Sequence, residues 1–358
     1  MINVTRRKIK NIIKRAIFLP RGLDFFRYLL NKIYSYFLKK SKSQKVAYPS
    51  TIMLEVTNHC NLKCITCPRE YVFGDQMDKG YMKFNKLKKI IDEAYPYVDS
   101  IGLTGLGETL LYKDIADAVN YIKSKSKGII VSCSINAHLK NSVDIVSQLV
   151  DKIDTIQISM DGIGKTYNKV RLGGDFNFFQ SNLRKIVKLA FTSETDIMLN
   201  VVLVKENYHQ MSDMIEFANN LGIKYIDMVP INLVSKTNEN ISYYNLFLSE
   251  EFQEQLNAAK AKAKKNKKLE FVYHPFSLNN GFNTCTYPWN YFYVSWDGLL
   301  PPCCAKPFPK ALNLGNVFKN GLKDSINSKM FKEFRTLWYK NETPKFCNKC
   351  ILTVNKLK

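Results

Sequence analysis

Short β-prone runs alternate with amphipathic helices through the middle of this 358-residue chain, and this alternation limits the fold more than any other feature. The helical stretches have apolar residues three and four positions apart, as at Phe84, Leu87 and Ile91. Such alternation predicts βαβ units and a parallel sheet. Six β/α units make an incomplete version of the eight-unit barrel, so we expect an α/β fold with a partial (β/α)6 TIM-like barrel and its chemistry at the carboxyl ends of the strands. The predicted strands span 51–56, 100–104, 129–134, 155–160, 197–204 and 224–230.

Three cysteines, Cys60, Cys64 and Cys67, follow the first predicted strand. Intervals of three and two residues let one short loop aim all three sulfur atoms inward, and cysteine sulfur is a ligand for Fe–S clusters, Zn and Cu(I). A cubane [4Fe-4S] cluster held here would keep one iron open for a substrate or cofactor. Structural zinc is the alternative, but it prefers a closed set of four ligands, and the adjacent His59 would have to fold back to supply the fourth.

The segment from Glu55 to Arg69 resembles the signature of radical S-adenosylmethionine (radical SAM) enzymes, in which the open iron binds the methionine moiety of the cofactor. The resemblance implies that S-adenosylmethionine is cleaved to methionine and a 5′-deoxyadenosyl radical, which abstracts a hydrogen atom from the substrate. It also implies a reductant such as flavodoxin or ferredoxin. Many members place an aromatic residue before the third cysteine, where this chain has Thr66.

Two further loops match the family pattern and supply the expected cofactor-binding residues. Gly105, Gly107 and Glu108 resemble the Gly-Gly-Glu segment that holds the methionine amino group, and a plain strand-to-helix turn is the alternative. Ser159 and Arg171 match positions that contact the cofactor carboxylate, a group that suits the planar guanidinium; a surface ion pair is the alternative for Arg171. Three asparagines could also face the pocket or merely satisfy buried backbone groups: Asn136, Asn200 and Asn232.

Four cysteines in the last quarter of the chain can supply thiolates to a second site: Cys285, Cys303, Cys347 and Cys350. Spacing alone leaves structural zinc open. The surrounding motifs Cys-x-x-Pro-Trp, Asp-Gly-x-x-x-Pro-Cys, Leu-Gly-Asn-Val and Cys-x-x-Cys resemble the C-terminal domain called SPASM, or its shortened form called twitch, which holds auxiliary [4Fe-4S] clusters. The resemblance implies one fully ligated auxiliary cluster and favours Cys303 over Cys304 as a ligand. Cys304 and Cys133 are then expected to be buried apolar residues.

The sequence predicts four segments. A basic amphipathic helical extension covers 1–48, the radical SAM barrel core covers 49–235, a linker with the last barrel helix covers 236–275, and the auxiliary cluster domain covers 276–358. In the last segment, Asp297 and Gly298 predict the turn of a β-hairpin, and a helix is expected over about 322–337.

Charge is concentrated in the extension. The chain has a formal net charge of +22, and residues 1–45 contain 13 Lys and Arg against one acid, Asp24. The pattern predicts two short helices, broken at 19–22, which either lie on an anionic membrane or dock their apolar stripe on the barrel. Nucleic-acid binding is not expected, because the aromatic residues lie on the apolar face rather than among the charges.

Nine cysteines in clustered spacings fit metal ligation in a reducing compartment better than disulfides, so the predicted location is the cytoplasm. Because of the basic extension, the prediction includes peripheral contact with the inner face of the membrane. No stretch has the roughly 18 apolar residues that a membrane-spanning helix needs.

A fully ligated auxiliary cluster cannot bind substrate without losing a ligand, so electron transfer is its expected role and dehydrogenation the expected reaction. We expect an oxidoreductase acting on a small molecule, with a carbohydrate-type substrate favoured and a membrane-linked glycan precursor included. A peptide or protein maturase is the alternative within enzymes. A zinc-stabilised binding module is the non-enzymatic alternative.

Overall fold

Eight parallel strands form one sheet in the computed structural model, which describes residues 5–71, 74, 77–234, 239–308 and 310–357. Their order across the sheet is β8-β1-β2-β3-β4-β5-β6-β7. The strands are β1 (Thr51–Leu54), β2 (Ser100–Leu103), β3 (Ile130–Ile135), β4 (Thr155–Ser159), β5 (Asp196–Leu203), β6 (Tyr225–Pro230), β7 (Glu270–Tyr273) and β8 (Tyr291–Val294).

The six predicted strands and the partial barrel are confirmed. Strands β1 to β6 are neighbours in chain order, as consecutive β/α units require. The register pairs buried apolar residues across strands, for example Ile52 with Ile101 and Leu54 with Leu103. These side chains are almost fully buried because helices cover the outer face of the sheet while the inner face fills the barrel.

The predicted hairpin at Asp297 and Gly298 is wrong in its pairing. A turn is present, since the Gly298 amide donates to the Ser295 carbonyl at 2.8 Å and Gly298 has φ 84°. The strand before it, β8, nevertheless pairs in parallel with β1 rather than folding back on the chain that follows. Three of the four β8 residues are buried, so side chains on both faces of this strand must be covered by other parts of the protein. A two-stranded hairpin does not provide that cover.

Strand β7 was missed by the sequence analysis. Its four residues are only half-buried, and it adds to β6 as the other edge of the sheet. The predicted segment boundaries stay a prediction, and the boundary at 235 and 236 lies outside the described residues.

The helices have these bounds: α1 (Arg6–Ile17), α2 (Leu23–Lys40), α3 (Phe84–Ala94), α4 (Ile115–Lys125), α5 (Ser142–Leu149), α6 (Lys165–Val170), α7 (Phe176–Ala190), α8 (Met211–Asn220), α9 (Glu250–Lys264), α10 (Tyr287–Asn290), α11 (Val317–Ile326) and α12 (Lys329–Tyr339). The helix predicted over 322–337 is two helices, because Ser328 caps a new helix through its hydroxyl and the Phe331 amide. Among the described residues, no helix is both long enough and apolar enough to cross a membrane.

The N-terminal hairpin of α1 and α2 docks at the amino ends of the barrel strands. Basic side chains of α1 reach acids that stand at or near the start of successive strands, and Asn31 of α2 exchanges hydrogen bonds with the Tyr48 backbone at 3.0 Å in both directions. The ion pairs of α1 join Arg6 to Glu270, Arg7 to Asp227, Lys10 to Asp196, Lys14 to Asp154 and Arg15 to Asp99. The expectation of a hairpin docked by its apolar stripe is therefore wrong, because the polar side faces the barrel.

Arg335 of α12 joins three parts of the chain in the interior. The side chain is fully buried and donates hydrogen bonds to the carbonyls of Pro288, Gln44 and Ile326 at 2.8 to 2.9 Å. Burial lowers the pKa of its guanidinium. The extension, α10 and α11 thus share one buried cation.

Replacing Arg335 with Ala should destabilise the protein, because two buried carbonyls and one partly buried carbonyl lose their donor. We expect a loss of about 2 to 3 kcal/mol in the free energy of unfolding, since each unsatisfied buried acceptor costs roughly 1 kcal/mol or more. Chemical unfolding of the variant measures the change. Glu333→Ala, at an exposed position of the same helix, is the control and should stay within about 0.5 kcal/mol of the parent. Equal stability of the two variants would contradict the prediction.

Candidate active site and auxiliary thiol site

The loop that carries the first three cysteines follows β1 at the carboxyl end of the sheet. Residues Lys63 and Cys64 form a two-residue antiparallel ladder with Leu172 and Arg171, and the Ile65 amide donates to the Val170 carbonyl at 2.9 Å. The cysteine loop is thereby tied by backbone bonds to the segment that follows β4 and α6. Arg171, a residue expected from sequence to bind the cofactor, lies directly beside Cys64.

The buried Glu108 links the loop after β2 to the cysteine loop. Its amide donates to the His59 carbonyl at 2.8 Å, and its carboxylate accepts hydrogen bonds from the amides of Leu110 and Asn136 at 3.1 and 2.6 Å. Burial raises the pKa of Glu108 to about 7, although these two amides oppose the shift. The carboxylate keeps unused lone pairs, so it can still accept from an ammonium group.

Gly107 and Gly105 are required by close contacts within the protein. A Cβ atom at Gly107 would lie 2.4 Å from the Thr57 carbonyl oxygen and 2.5 Å from that of His59. A Cβ atom at Gly105 would lie 2.3 Å from Cγ of Glu55. The sequence pattern suggests close approach of a ligand, whereas the structure shows close approach of the cysteine loop itself.

Asn136 lies next to the first cysteine. Its side-chain amide donates to Oδ1 of Asn61 at 2.8 Å and lies 3.8 Å from Sγ of Cys60. Its Oδ1 accepts from the His138 amide at 2.8 Å. Asn136 therefore faces the thiol of Cys60, and it also accepts a hydrogen bond from the nearby backbone. Both alternatives that the sequence raised, a place at the site and a partner for backbone groups, apply to it.

Arg171 forms a buried ion pair rather than a surface one. Its Nη1 donates to Oδ2 of Asp161 at 2.7 Å, and both side chains are over nine-tenths buried. Asp161 is fixed in turn by the Val202 amide at 2.8 Å. The Nε atom of Arg171 is buried without a hydrogen-bond partner among the described residues, so the guanidinium has a donor left for an anion.

Ser159 ends β4 and is in register with Asn200 of β5. Both are half-buried, and they lie one after the other along the same edge as Glu108 and Arg171. The structure therefore brings all five expected cofactor-binding residues to the carboxyl ends of β2 and β4. Their role in binding stays a prediction.

The three thiols are buried to different degrees and held in one loop. Burial raises the pKa of Cys64 to about 12 and that of Cys67 to about 11, and it also raises the pKa of Cys60. The nearby guanidinium groups of Arg69 and Arg171 act in the opposite direction. Free thiols at this place are protonated at neutral pH, so assembly of a thiolate-bound cluster would release protons.

His59 stacks on Tyr81 with ring centroids 4.6 Å apart and does not turn back toward the cysteines.

The second thiol group lines an apolar cavity between α10, α12 and the C-terminal segment. All four expected ligands line it, together with Phe282, Tyr287 and Phe334: Cys285, Cys303, Cys347 and Cys350. Burial raises the pKa of each of these thiols, that of Cys285 to about 11. Cys304 does not line the cavity and lies against Tyr291 instead.

Asn232, just after β6, connects the barrel to this second group. Its Nδ2 lies 3.6 Å from Sγ of Cys350, and its Oδ1 accepts from the amides of Val234 and Ile351 at 3.1 and 3.3 Å. Among the described residues, no three His, Cys, Asp or Glu side chains are close enough together to hold one metal ion. A four-iron cluster separates its ligand sulfurs more widely than a single ion does.

Comparison with known families identifies the chain. The radical SAM superfamily model matches residues 54–218, and the model of the SPASM iron-sulfur cluster-binding domain matches residues 285–351. The chain belongs to the radical SAM superfamily. It is a radical SAM enzyme with a C-terminal SPASM domain, and the two matches favour iron-sulfur clusters over zinc at both thiol groups.

Similar proteins act on different substrates. The chain is 25% identical over 321 residues to the tungsten-containing aldehyde ferredoxin oxidoreductase cofactor-modifying protein of Pyrococcus furiosus, covering 84% of this chain and 87% of that protein. It is 22% identical to the antilisterial bacteriocin subtilosin biosynthesis protein AlbA of Bacillus subtilis, covering 90% of this chain and 68% of that protein. The crystal structure of Streptococcus suis SuiB bound to its precursor peptide SuiA matches with a TM-score of 0.66 at 16% identity, over 90% of this chain and 77% of SuiB. That likeness shows the fold.

The residues present fit the cofactors of the family. Three loop thiols match a cluster with one open iron, four cavity thiols match one fully ligated auxiliary cluster, and the unpaired Nε of Arg171 matches a carboxylate. When bound, the first cluster and S-adenosylmethionine supply the 5′-deoxyadenosyl radical. The chain itself holds the thiols in place and provides the acceptor of Glu108 and the donor of Arg171.

Several organising residues were missed by sequence reasoning. Glu55 was seen only as part of a motif, yet its buried carboxylate accepts from the Leu106 amide at 2.9 Å, the Trp296 amide at 3.3 Å and the Tyr293 hydroxyl. Burial raises the pKa of Glu55 to about 6. Arg69 was also missed, and its guanidinium donates to the Leu62 carbonyl within the cysteine loop. For Glu55, the sequence did contain a signal, namely a charged residue inside an otherwise apolar run.

Gly107→Ala should displace the cysteine loop, because the added methyl group meets two backbone carbonyls that cannot move aside alone. We expect 5′-deoxyadenosine formation to fall by at least about tenfold, the change that roughly 1.4 kcal/mol of misplacement produces. Gly102→Ala in β2 is the matched control, since its Cβ atom would meet nothing closer than Ser132 Oγ at 3.7 Å. Full activity of Gly107→Ala would contradict this account of the loop.

The choice between Cys303 and Cys304 can be tested once the first cluster is removed. Anaerobic reconstitution of the parent should give about eight irons per chain, and alanine at Cys60, Cys64 and Cys67 together should leave about four while abolishing 5′-deoxyadenosine formation. Adding Cys303→Ala should remove the remaining cluster, whereas adding Cys304→Ala should retain it. The readout is iron content with the electron paramagnetic resonance of the reduced protein. The reverse pattern would assign the ligand to Cys304, and one zinc in place of the four irons would remove the electron-transfer role.

Proposed function

We propose that the protein is an oxidoreductase that removes two electrons from a polyhydroxylated small molecule of carbohydrate type. The observation that carries the proposal is the cavity of Cys285, Cys303, Cys347 and Cys350. Four protein thiolates would complete the coordination of an auxiliary cluster, which suits electron transfer better than substrate binding. The Asn232 contact places this cavity beside the carboxyl end of β6, on the side of the barrel where the first thiols lie.

A group of phenols and carboxylates near Cys67 supports the choice of substrate. Tyr71 follows Cys67 by four residues; burial raises the pKa of its phenol, and the charges of Glu239, Cys67 and Glu206 raise it further. Burial also raises the pKa of Tyr243, again with Glu206 and Glu239 nearby. Carboxylates and phenols are suitable partners for the hydroxyl groups of a sugar.

Glu206 is the proposed proton acceptor. It follows β5, and its Oε2 atom is buried without a hydrogen-bond partner among the described residues. When bound, the cofactor would supply the radical that takes a hydrogen atom from a substrate carbon bearing a hydroxyl group, and an auxiliary cluster held by the four cavity thiols would accept one electron. Glu206 would take the hydroxyl proton, so that an alcohol would become a carbonyl. Thiolate ligation of two clusters requires a reducing compartment, so the proposal places the reaction in the cytoplasm, with flavodoxin or ferredoxin as reductant.

A peptide or protein maturase is the second candidate. AlbA is named for bacteriocin biosynthesis, and SuiB was solved with a precursor peptide, so relatives of similar fold act on peptides. The same auxiliary cavity would serve such a reaction. The extension supports the small-molecule proposal, because its two helices are held against the amino ends of the barrel, away from the site.

Substrate class can be decided by substrate-dependent cofactor cleavage. The anaerobic holoenzyme is incubated with a panel of nucleotide-linked hexoses and aminohexoses, and in parallel with peptides encoded beside its gene. The proposal expects 5′-deoxyadenosine formation to rise with a sugar and the product to be two mass units lighter than the substrate. A rise only with a peptide would replace the proposal by the maturase.

Glu206→Gln should separate cofactor cleavage from product formation, because the amide keeps the size of the side chain but cannot take a proton. We expect 5′-deoxyadenosine formation near the parent rate and oxidised product reduced by about 100-fold or more, the usual contribution of a general base. Glu216→Gln on the exposed face of α8 is the control. Parent-level product from Glu206→Gln would exclude this residue as the proton acceptor.

A further inference from the structure

The N-terminal hairpin has its apolar side turned to solvent. Among the described residues, fourteen of the twenty-two exposed large apolar side chains lie in α1, α2 and the turn between them. Ile12, Ile17, Phe26, Leu30 and Phe37 are each 59 to 65% exposed. We call this outward surface of α1 and α2 the apolar face. Its extent is unusual, since soluble monomers rarely expose large contiguous apolar patches.

The orientation of the hairpin is fixed by its other side. Asp154 and Asp196 are only 5 and 7% exposed as side chains, and they receive Lys14 at 2.6 Å and Lys10 at 2.9 Å. Turning the hairpin over to bury its apolar face would leave these acids without their α1 partners, which costs more than a surface rearrangement. The apolar face is therefore a consequence of how the helices are docked.

The helices that form the apolar face, and the segments next to them, also have basic residues without acidic partners among the described residues. Seven of the thirteen basic residues of the extension pair with acids of the protein, and the other six are exposed and have no acidic partner among the described residues. The single acid, Asp24, is engaged by Arg27 and by the Tyr95 hydroxyl, both at 3.0 Å. The six basic residues are Lys8, Arg21, Lys39, Lys40, Lys42 and Lys45.

We propose that the apolar face lies in the interface of an anionic lipid bilayer, with these six basic residues at the headgroups. Helices with apolar and aromatic side chains on one side and cations at the rim bind such surfaces, and phenylalanine and tyrosine suit the boundary between acyl chains and headgroups. A second copy of the chain is a poorer occupant, because pairing two apolar faces would bring two rings of unpaired cations together.

Attachment through this face orients the active site. The hairpin covers the amino ends of the strands, whereas Cys60, Glu108 and Arg171 lie beyond the carboxyl ends. The opening of the barrel would then point away from the bilayer, a full strand length from the lipid. The substrate would arrive from the aqueous side, which removes the argument from the extension that the substrate is a lipid-linked glycan.

The test uses the full-length holoprotein and vesicles of phosphatidylglycerol with phosphatidylcholine, compared with phosphatidylcholine alone, in co-sedimentation. Deleting the extension is unsuitable, because it would strand buried acids such as Asp154. The apolar variant combines Ile12→Ser, Phe26→Ser, Leu30→Ser and Phe37→Ser. The matched control removes four exposed apolar side chains elsewhere, through Phe191→Ser, Leu248→Ser, Leu278→Ser and Met330→Ser.

The parent and the matched control should partition onto anionic vesicles on the order of tenfold more strongly than onto neutral ones, with weaker binding at high salt. The apolar variant should lose binding while keeping its iron content. Lys39→Gln, Lys40→Gln, Lys42→Gln and Lys45→Gln together should lose the preference for anionic lipid. Equal sedimentation of the parent and the apolar variant would overturn the proposal. Absence of vesicle binding with a dimer that the apolar variant abolishes would assign the face to a second copy instead.

Discussion

The buried carboxylate of Glu55, one residue after β1, is the contact on which the position of β8 and of the C-terminal segment after it depends. A carboxylate removed from water must be hydrogen-bonded, and this one takes its donors from the loop after β2, from Tyr293 in β8 and from Trp296. Those donors come from residues up to 241 positions away in the chain. Satisfying one charge therefore holds the C-terminal strand β8 against β1, the strand that the cysteine loop follows.

The two ends of the barrel use charge in opposite ways. At the amino ends, acids such as Asp154 and Asp196 form ion pairs with lysines of α1, so the N-terminal hairpin covers this end of the barrel. At the carboxyl ends, Arg171 is paired with Asp161 but keeps its Nε free, and Glu108 is held by two amides with lone pairs left over. Groups with an unused donor or acceptor therefore lie at the carboxyl ends, near the cysteine loop, whereas the acids at the amino ends are paired with α1.

Arg171 has several structural contacts at once. Its backbone continues the ladder to Cys64, its Nη1 donates to Asp161, and its Nε is buried without a hydrogen-bond partner among the described residues. Asn232 likewise has contacts of two kinds. Its Oδ1 accepts from the amides of Val234 and Ile351, and its side-chain amide lies close to Sγ of Cys350. In both cases the residue that builds the local backbone also faces the thiol group, so the position of each thiol is tied to a barrel strand.

Local pattern in the sequence was sufficient for the six central strands, their helices and both cysteine sets, because buried parallel strands and ligand spacings are properties of short segments. It did not reveal β7 or the placement of β8. The Asp297-Gly298 turn suggests a local hairpin, yet the pairing of Tyr293 with Met53 is decided by burial between residues 240 positions apart.

The hairpin at the N-terminus was likewise predicted as two amphipathic helices, but the side that faces the barrel was not predicted. The sequence by itself determined that the extension has an apolar and a basic side. Only the tertiary structure decided that the basic side faces inward, because the acids that attract it stand at or near the starts of five strands that folding brings to one end of the barrel.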